Sequence, residues 1–175
     1  AVLGVFALWR LAGIHQNLVE LADNTLPSVL TLDECAARSR DSMFAAQQYL
    51  LADSDDRRTE LDQRIASNKA RIDELFQRYE PLISDNEDRR LNGEAKQTRA
   101  DFAVARNRLL ELVRQNKTEE SRKWLTETVI PAYEASIRAL QANVDYNNKL
   151  GMAAGAAGKE EAASSTRLIR FALVF

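Results

Sequence analysis

Two arginines, Arg38 and Arg40, sit among small side chains: Ala36, Ala37, Ser39 and Ser42. Small neighbours leave space beside a guanidinium group. The guanidinium fork matches a carboxylate through paired, charge-assisted hydrogen bonds. The pattern points to a site for a small organic anion, with Ser39 and Ser42 as hydroxyl donors. The other reading open to both arginines is as solvated or ion-paired surface residues. A second group, Thr126, Thr128 and Tyr133, brackets Pro131. A proline frees a carbonyl one turn back, and nearby hydroxyls can donate to an anion. Alternatively the two threonines cap or face solvent, and Tyr133 belongs to the core. Arg106 and Arg108 could also face the distal pocket, but the strongly charged stretch around them favours solvated side chains.

Other chemistry is thinly supplied. The chain has one histidine, His15, and one cysteine, Cys35. Cys35 has no His or acid spaced to activate it, and reads as a small packing residue or a neighbour across a dimer interface. Acidic residues are abundant but fall on charge-rich helical faces. No acid/base pair, metal-ligand spacing or cofactor motif stands out, so no catalytic residue, metal site or cofactor is expected. A net charge of −2 leaves the whole molecule without the basic footprint of a nucleic-acid partner. Trp124 reads as a core cap.

The elements that must position these residues are helices. Only 6 Gly and 3 Pro occur in 175 residues, and 45% of residues are hydrophobic. Four segments carry apolar or small residues at alternating spacings of three and four, the seam of a helical bundle. The first runs Leu18, Ala22, Thr25, Val29, Leu32, Ala36, Ser39, Met43, Ala46, Leu50. The second runs Leu61, Ile65, Asn68, Ile72, Leu75, Tyr79, Leu82. The third runs Leu91, Ala95, Thr98, Phe102, Ala105, Leu109, Leu112. The fourth runs Ile130, Tyr133, Ile137, Leu140, Val144, Asn147, Gly151, Ala154. Polar breaks at 52–56, after Pro81, and at 116–120 separate them, with Thr118 offered as a cap for the last helix. Pro27 and Pro131 fall inside helical patterns and predict kinks. The small-residue stretch 151–158 predicts a helix packed closely on a neighbour. The fold expected is all-α: an antiparallel up-down-up-down four-helix bundle with long first and last helices.

Both ends are apolar, AVLGVFALW at the start and RLIRFALVF at the finish. Each is shorter than the ~20 residues that span a bilayer. Both read as pieces of longer apolar helices. That predicts the end of a first membrane helix at 1–14 and the start of a second at 167–175, flanking a water-soluble domain at 15–166, with Trp9 and His15 near the interface; the alternative is a soluble helical protein whose apolar terminal helices dock on its own core.

Several short stretches resemble one family. LGVFALWRLAGI is similar to the end of a first membrane helix in bacterial chemoreceptors of the aspartate-receptor type. Thr25-Leu26-Pro27-Ser28-Val29 looks like the motif that opens many of their sensor domains. Tyr49-Leu50-Leu51-Ala52-Asp53, Arg78-Tyr79-Glu80-Pro81-Leu82 and Ile130-Pro131 resemble later helix boundaries of that family. The resemblance implies the four-helix-bundle ligand-binding domain of a methyl-accepting chemotaxis receptor. It implies a homodimer in the bacterial inner membrane, with this domain in the periplasm and a small ligand near the membrane-distal dimer interface. Combined with the arginine chemistry, the ligand expected is a di- or tricarboxylate such as malate or citrate. The same module on a histidine kinase or cyclic-nucleotide enzyme, or a protein-binding adaptor bundle, are the alternatives.

Overall fold

The computed structural model describes residues 12–13 and 15–174, with side chains through Ser165. The apolar run at 1–9, including Trp9, lies outside the described residues, as do the side chains of 167–175. Helix α1 spans Leu26–Leu51, α2 Asp55–Tyr79 and α3 Asn86–Arg114. The fourth helical run comprises α4, Thr118–Trp124, a π-helical segment Leu125–Val129, and α5, Ile130–Val174. A second π segment, Leu21–Thr25, precedes α1. No strand occurs among the described residues.

The helix boundaries follow from local chemistry. Ser54 caps α2, its hydroxyl accepting from the Arg57 N–H at 3.3 Å, and Asp55 and Asp56 in the first turn complement the helix dipole. Tyr79 ends α2, and Glu80–Leu82 tightens into a 3₁₀ turn around Pro81. Asp85 caps α3 through the Asp88 N–H at 2.9 Å. The last cap differs from expectation. Lys117 holds that position without a side-chain bond, and Thr118 is already helical. The chain turns one residue earlier, at Asn116, whose φ of 56° places it in the left-handed region that asparagine tolerates.

The two prolines do not end their helices. Each is preceded by a π turn, in which the Leu26 N–H bonds the Leu21 carbonyl and the Ile130 N–H bonds the Leu125 carbonyl. A proline ring presses on the carbonyl four residues back. A five-residue turn at that place widens the helix and accommodates the ring.

By packing, the chain divides into two compact units, one of Ala1–Val29 with Asp145–Phe175 and one of Leu30–Val144. Within the first, Gly151 meets the opposite helix closely. A Cβ there would lie 2.4 Å from Thr25 Cγ2, so any larger residue would force the Thr25 side chain to shift. The small-residue stretch is therefore a close helix–helix approach, as its composition predicts.

Within the second unit, the cross-links fix the helix directions. From α1 to α2, the Tyr49 hydroxyl donates to Asp62 at 3.3 Å, Arg64 Nε to Asp41 at 2.9 Å, and Arg71 Nε to Glu34 at 2.8 Å. The rising and falling numbers make α1 and α2 antiparallel. From α2 to α3, Lys96 bonds Glu80, Arg99 bonds Asp73 and Arg114 bonds Asp62, again antiparallel. Trp124 Nε1 donates to the Ala105 carbonyl at 2.9 Å, which ties α4 to α3. Met43, Tyr49, Leu61, Phe102, Leu109 and Val129 anchor the core between these helices. Cys35 is wholly buried in α1, and burial pushes its thiol up to about 12.

These ion pairs give a pH prediction. Hydrogen bonds from Arg71, Arg64 and Lys96 hold Glu34, Asp41 and Glu80 respectively below their ordinary carboxylate values. A carboxyl depressed in the folded state adds stability above its unfolded value. That contribution is lost as pH falls through the depressed folded value. The urea midpoint is therefore expected to be lower at about pH 3 than at about pH 7. Equal midpoints would show that the interhelical pairs add nothing. The groups are largely exposed, so solvent screening keeps each contribution small.

Candidate functional site

The seam residues of α1 face inward, and this places Ser39 and Ser42 in the interior. Each is only 1% exposed, and neither hydroxyl has a hydrogen-bond partner. Arg38 and Arg40 flank them on the outer side of the helix. Arg38 is half-exposed and pairs with Glu34 at 3.5 Å, one turn back. Glu34 is shared with Arg71, so the Arg38 charge is partly spent. Arg40 is exposed and has no carboxylate partner among the described residues. Its charge reaches the Tyr133 hydroxyl. Burial raises the Tyr133 pKa, and Arg40 acts against that rise.

The fourth helical run supplies the rest of the expected set, with different outcomes. Tyr133 is half-buried and meets Phe102 edge-on, with ring centroids 5.5 Å apart. It is a packing residue whose polar tip lies within the field of Arg40. Thr126 is exposed, and its hydroxyl donates back to the Arg122 carbonyl at 2.8 Å. Thr128 is half-buried in the π segment. The structure thus places Ser39 and Ser42 together inside the bundle, with the Arg40 charge felt at Tyr133. It leaves Arg38 and Thr126 engaged elsewhere.

Of the two alternatives for Arg106, the structure gives the pocket-facing one. Arg106 is 5% exposed, not solvated. Burial, followed by repulsion from Arg99, pushes its guanidinium down to about 10. It stacks over the Phe102 ring at 5.6 Å and donates to Asn107 at 3.0 Å. No carboxylate pairs with it among the described residues, and its Nε is unpartnered. Ser39, Ser42, Lys69, Arg99, Phe102 and Arg106 line a small enclosed cavity that no acidic residue touches. A signal for this was present. Arg106 lies four residues after Phe102 and three before Leu109, on the stripe that the seam itself uses. Arg108, by contrast, is exposed and pairs with Glu111 at 3.1 Å, as expected. No cluster of three His, Cys, Asp or Glu that could hold a metal occurs among the described residues.

The helix order and cross-links define the class of protein: an all-α antiparallel four-helix bundle. The chain belongs to the family described as a four helix bundle sensory module for signal transduction, which it matches over residues 1–162. No curated protein matches it. It is thus a sensory module of the kind chemotaxis receptors carry, and such a module is not in itself an enzyme. No helix among the described residues is long and apolar enough to cross a membrane.

Proposed function

We propose that this chain is the periplasmic sensor domain of a bacterial transmembrane chemoreceptor. It works as a homodimer and binds a small organic anion, a di- or tricarboxylate such as malate or citrate, where two copies of α1 meet. Residues 15–166 form the domain, and residues 1–14 and 167–175 are the ends of its two inner-membrane helices.

The observation that carries this reading is an unpaired cation in an exposed apolar stripe. Along α1, Leu30, Ala37, Phe44 and Leu51 recur every seven residues, and all are exposed. Leu30 is 60%, Phe44 51% and Leu51 84% exposed. Asp33, Arg40 and Gln47 complete the alternating three-four spacing and are exposed too. This is a second seam, separate from the buried one, and its pattern suits a partner helix. Two copies anchored in one membrane run parallel, so each stripe residue faces its own counterpart. Leucine on leucine and phenylalanine on phenylalanine bury apolar surface. Arg40 on Arg40 repels. An anion with two or more carboxylates between the two guanidinium groups converts that repulsion into paired, charge-assisted hydrogen bonds. Tyr133, whose hydroxyl feels the Arg40 charge, is offered as a further hydroxyl donor. Ligand and dimer arrangement are then linked, because the anion favours the arrangement that brings the two Arg40 side chains onto it.

Arg40→Ala is expected to weaken malate or citrate binding by at least about 30-fold, the loss typical of truncating one partner of a desolvated charge pair. The same change tightens the ligand-free dimer by removing the repulsion. Calorimetry and sedimentation equilibrium read the two effects separately. An affinity within about twofold of wild type for every carboxylate bound would remove Arg40 from the site and the intersubunit reading with it.

A further inference from the structure

We infer that each protomer also holds an anion site inside its own bundle, built on Arg106 of α3 with Ser39 and Ser42 of α1, which takes the carboxylate of a small organic acid.

Three buried polar atoms of residues lining one cavity have no hydrogen-bond partner: the Ser39 hydroxyl, the Ser42 hydroxyl and Arg106 Nε. All three residues line the same enclosed cavity of about 10 Å³. Buried polar atoms in folded proteins nearly always find a partner, so three around one cavity mark a missing partner. The charge balance says which kind. Lys69, Arg99 and Arg106 all line the cavity, and no carboxylate does. A buried guanidinium without a counter-ion is strongly unfavourable, and its lowered proton affinity reflects that. A water molecule could satisfy the hydroxyls but carries no charge to offset the guanidinium. A carboxylate supplies both the acceptor sites and the charge.

The space fits an acid that enters head first. The enclosed cavity has room for about one oxygen atom. Arg106 and Lys69 also line a larger groove of about 360 Å³ between α2 and α3, bordered by Ile65, Leu110 and Arg114. A rotation of the Arg106 side chain joins the two spaces. One carboxylate oxygen then meets Ser39 and Ser42, and the rest of the molecule lies toward the groove. The groove's own acids are engaged, Asp62 with Arg114 and Glu111 with Arg108. Lys69 and Arg99 are both held by Asp73, at 2.8 Å each. They are on hand for a second carboxylate if that clamp opens.

The test uses acetate, a single carboxylate small enough to enter the internal cavity head first, and the Arg40→Ala variant removes any share that the two Arg40 side chains could take. Thermal melting is followed against sodium acetate at constant ionic strength, with sodium chloride as the matched control. Acetate is expected to raise the melting temperature saturably, by about 3 °C at roughly ten times its dissociation constant. Arg40→Ala retains this rise. Arg106→Met and the double variant Ser39→Ala/Ser42→Ala abolish it. Arg106→Met, with the buried charge gone, melts above wild type without ligand. The serine pair keeps the test available should the methionine variant misfold. Acetate acting no more strongly than chloride, or a rise that survives in the serine variant, overturns the internal site. Loss of malate binding in Arg40→Ala with the acetate effect intact would place the two sites apart. Loss of both only in the Arg106 and serine variants would leave the internal site standing alone.

Discussion

Asp88→Ala is expected to cost about 3 kcal/mol of folding stability, which on a chain of this size lowers the melting temperature by about 6–12 °C. Asp88 is fully buried in the first turn of α3. Its carboxylate accepts a hydrogen bond from the Tyr79 hydroxyl at the end of α2. It also accepts from the Ser84 N–H at 3.0 Å in the connecting turn. The Tyr79 hydroxyl lies 3.1 Å from Asn143 Oδ1 on α5. One carboxylate thus ties together the end of α2, the turn and the start of α3, and through Tyr79 it reaches α5. Hydrogen bonds to a charged acceptor contribute about 1.5–3 kcal/mol each when removal strands a buried partner. Placement at a helix N-terminus adds the dipole term. Asp88→Asn keeps the shape and part of the acceptor capacity, and its expected cost is about 1 kcal/mol. The ordering of the two variants is the check, read from urea unfolding with an unchanged slope. If alanine and asparagine cost the same small amount, the network is ornamental to stability.

Phe102→Ala is expected to cost about 3–5 kcal/mol, the range for removing a buried aromatic ring and leaving a cavity. Phe102 is buried in α3 within the main apolar cluster. Its ring meets Tyr133 edge-on and lies beneath the Arg106 guanidinium. Three effects are therefore lost together: the apolar burial, the aromatic pair and the cation–π contact that shares the charge of an otherwise unpaired arginine. Phe102→Leu restores most of the volume and is expected to recover about half the loss. Combining Phe102→Leu with Arg106→Met separates the terms. If the cation–π contact matters, the double variant loses less than the two single effects summed. Strict additivity would assign the whole cost of Phe102 to packing.

Much of this architecture follows from the order of residues alone. The stripe Leu61, Ile65, Asn68, Ile72, Leu75, Tyr79 is buried, as is Leu91, Ala95, Phe102, Ala105, Leu109, Leu112 on α3, with only Leu82 and Thr98 of the two expected seams half-buried. A helix repeats its direction every three to four residues, so a seam of that spacing must face one way wherever the helix sits. Ser54, Asp85 and Pro81 likewise act through their immediate neighbours, and the breaks they make are local. The pairing of Ser39 with Ser42 on the inner face of α1 belongs to the same class of fact.

Other features depend on what lies opposite. On α5 the expected seam residues Tyr133 and Ile137 are only half-buried, while Ser136, Asn143 and Asn147 are buried. The seam spacing placed Asn147 inside, but Ser136 and Asn143 lie off it, and small polar side chains pass as interior there only because of what the neighbouring helices present. Leu30, Phe44 and Leu51 look like ordinary apolar residues in a string. Only the packed bundle shows that they are left outside it, in register with Arg40. Arg106 is the sharpest case. Its spacing put it on the buried stripe, yet its charge argued for water. Charge prefers solvent wherever a side chain can reach it. Whether Arg106 can reach solvent is set by where α1 and α2 close over α3, a matter of helix-to-helix register that a single helix does not encode.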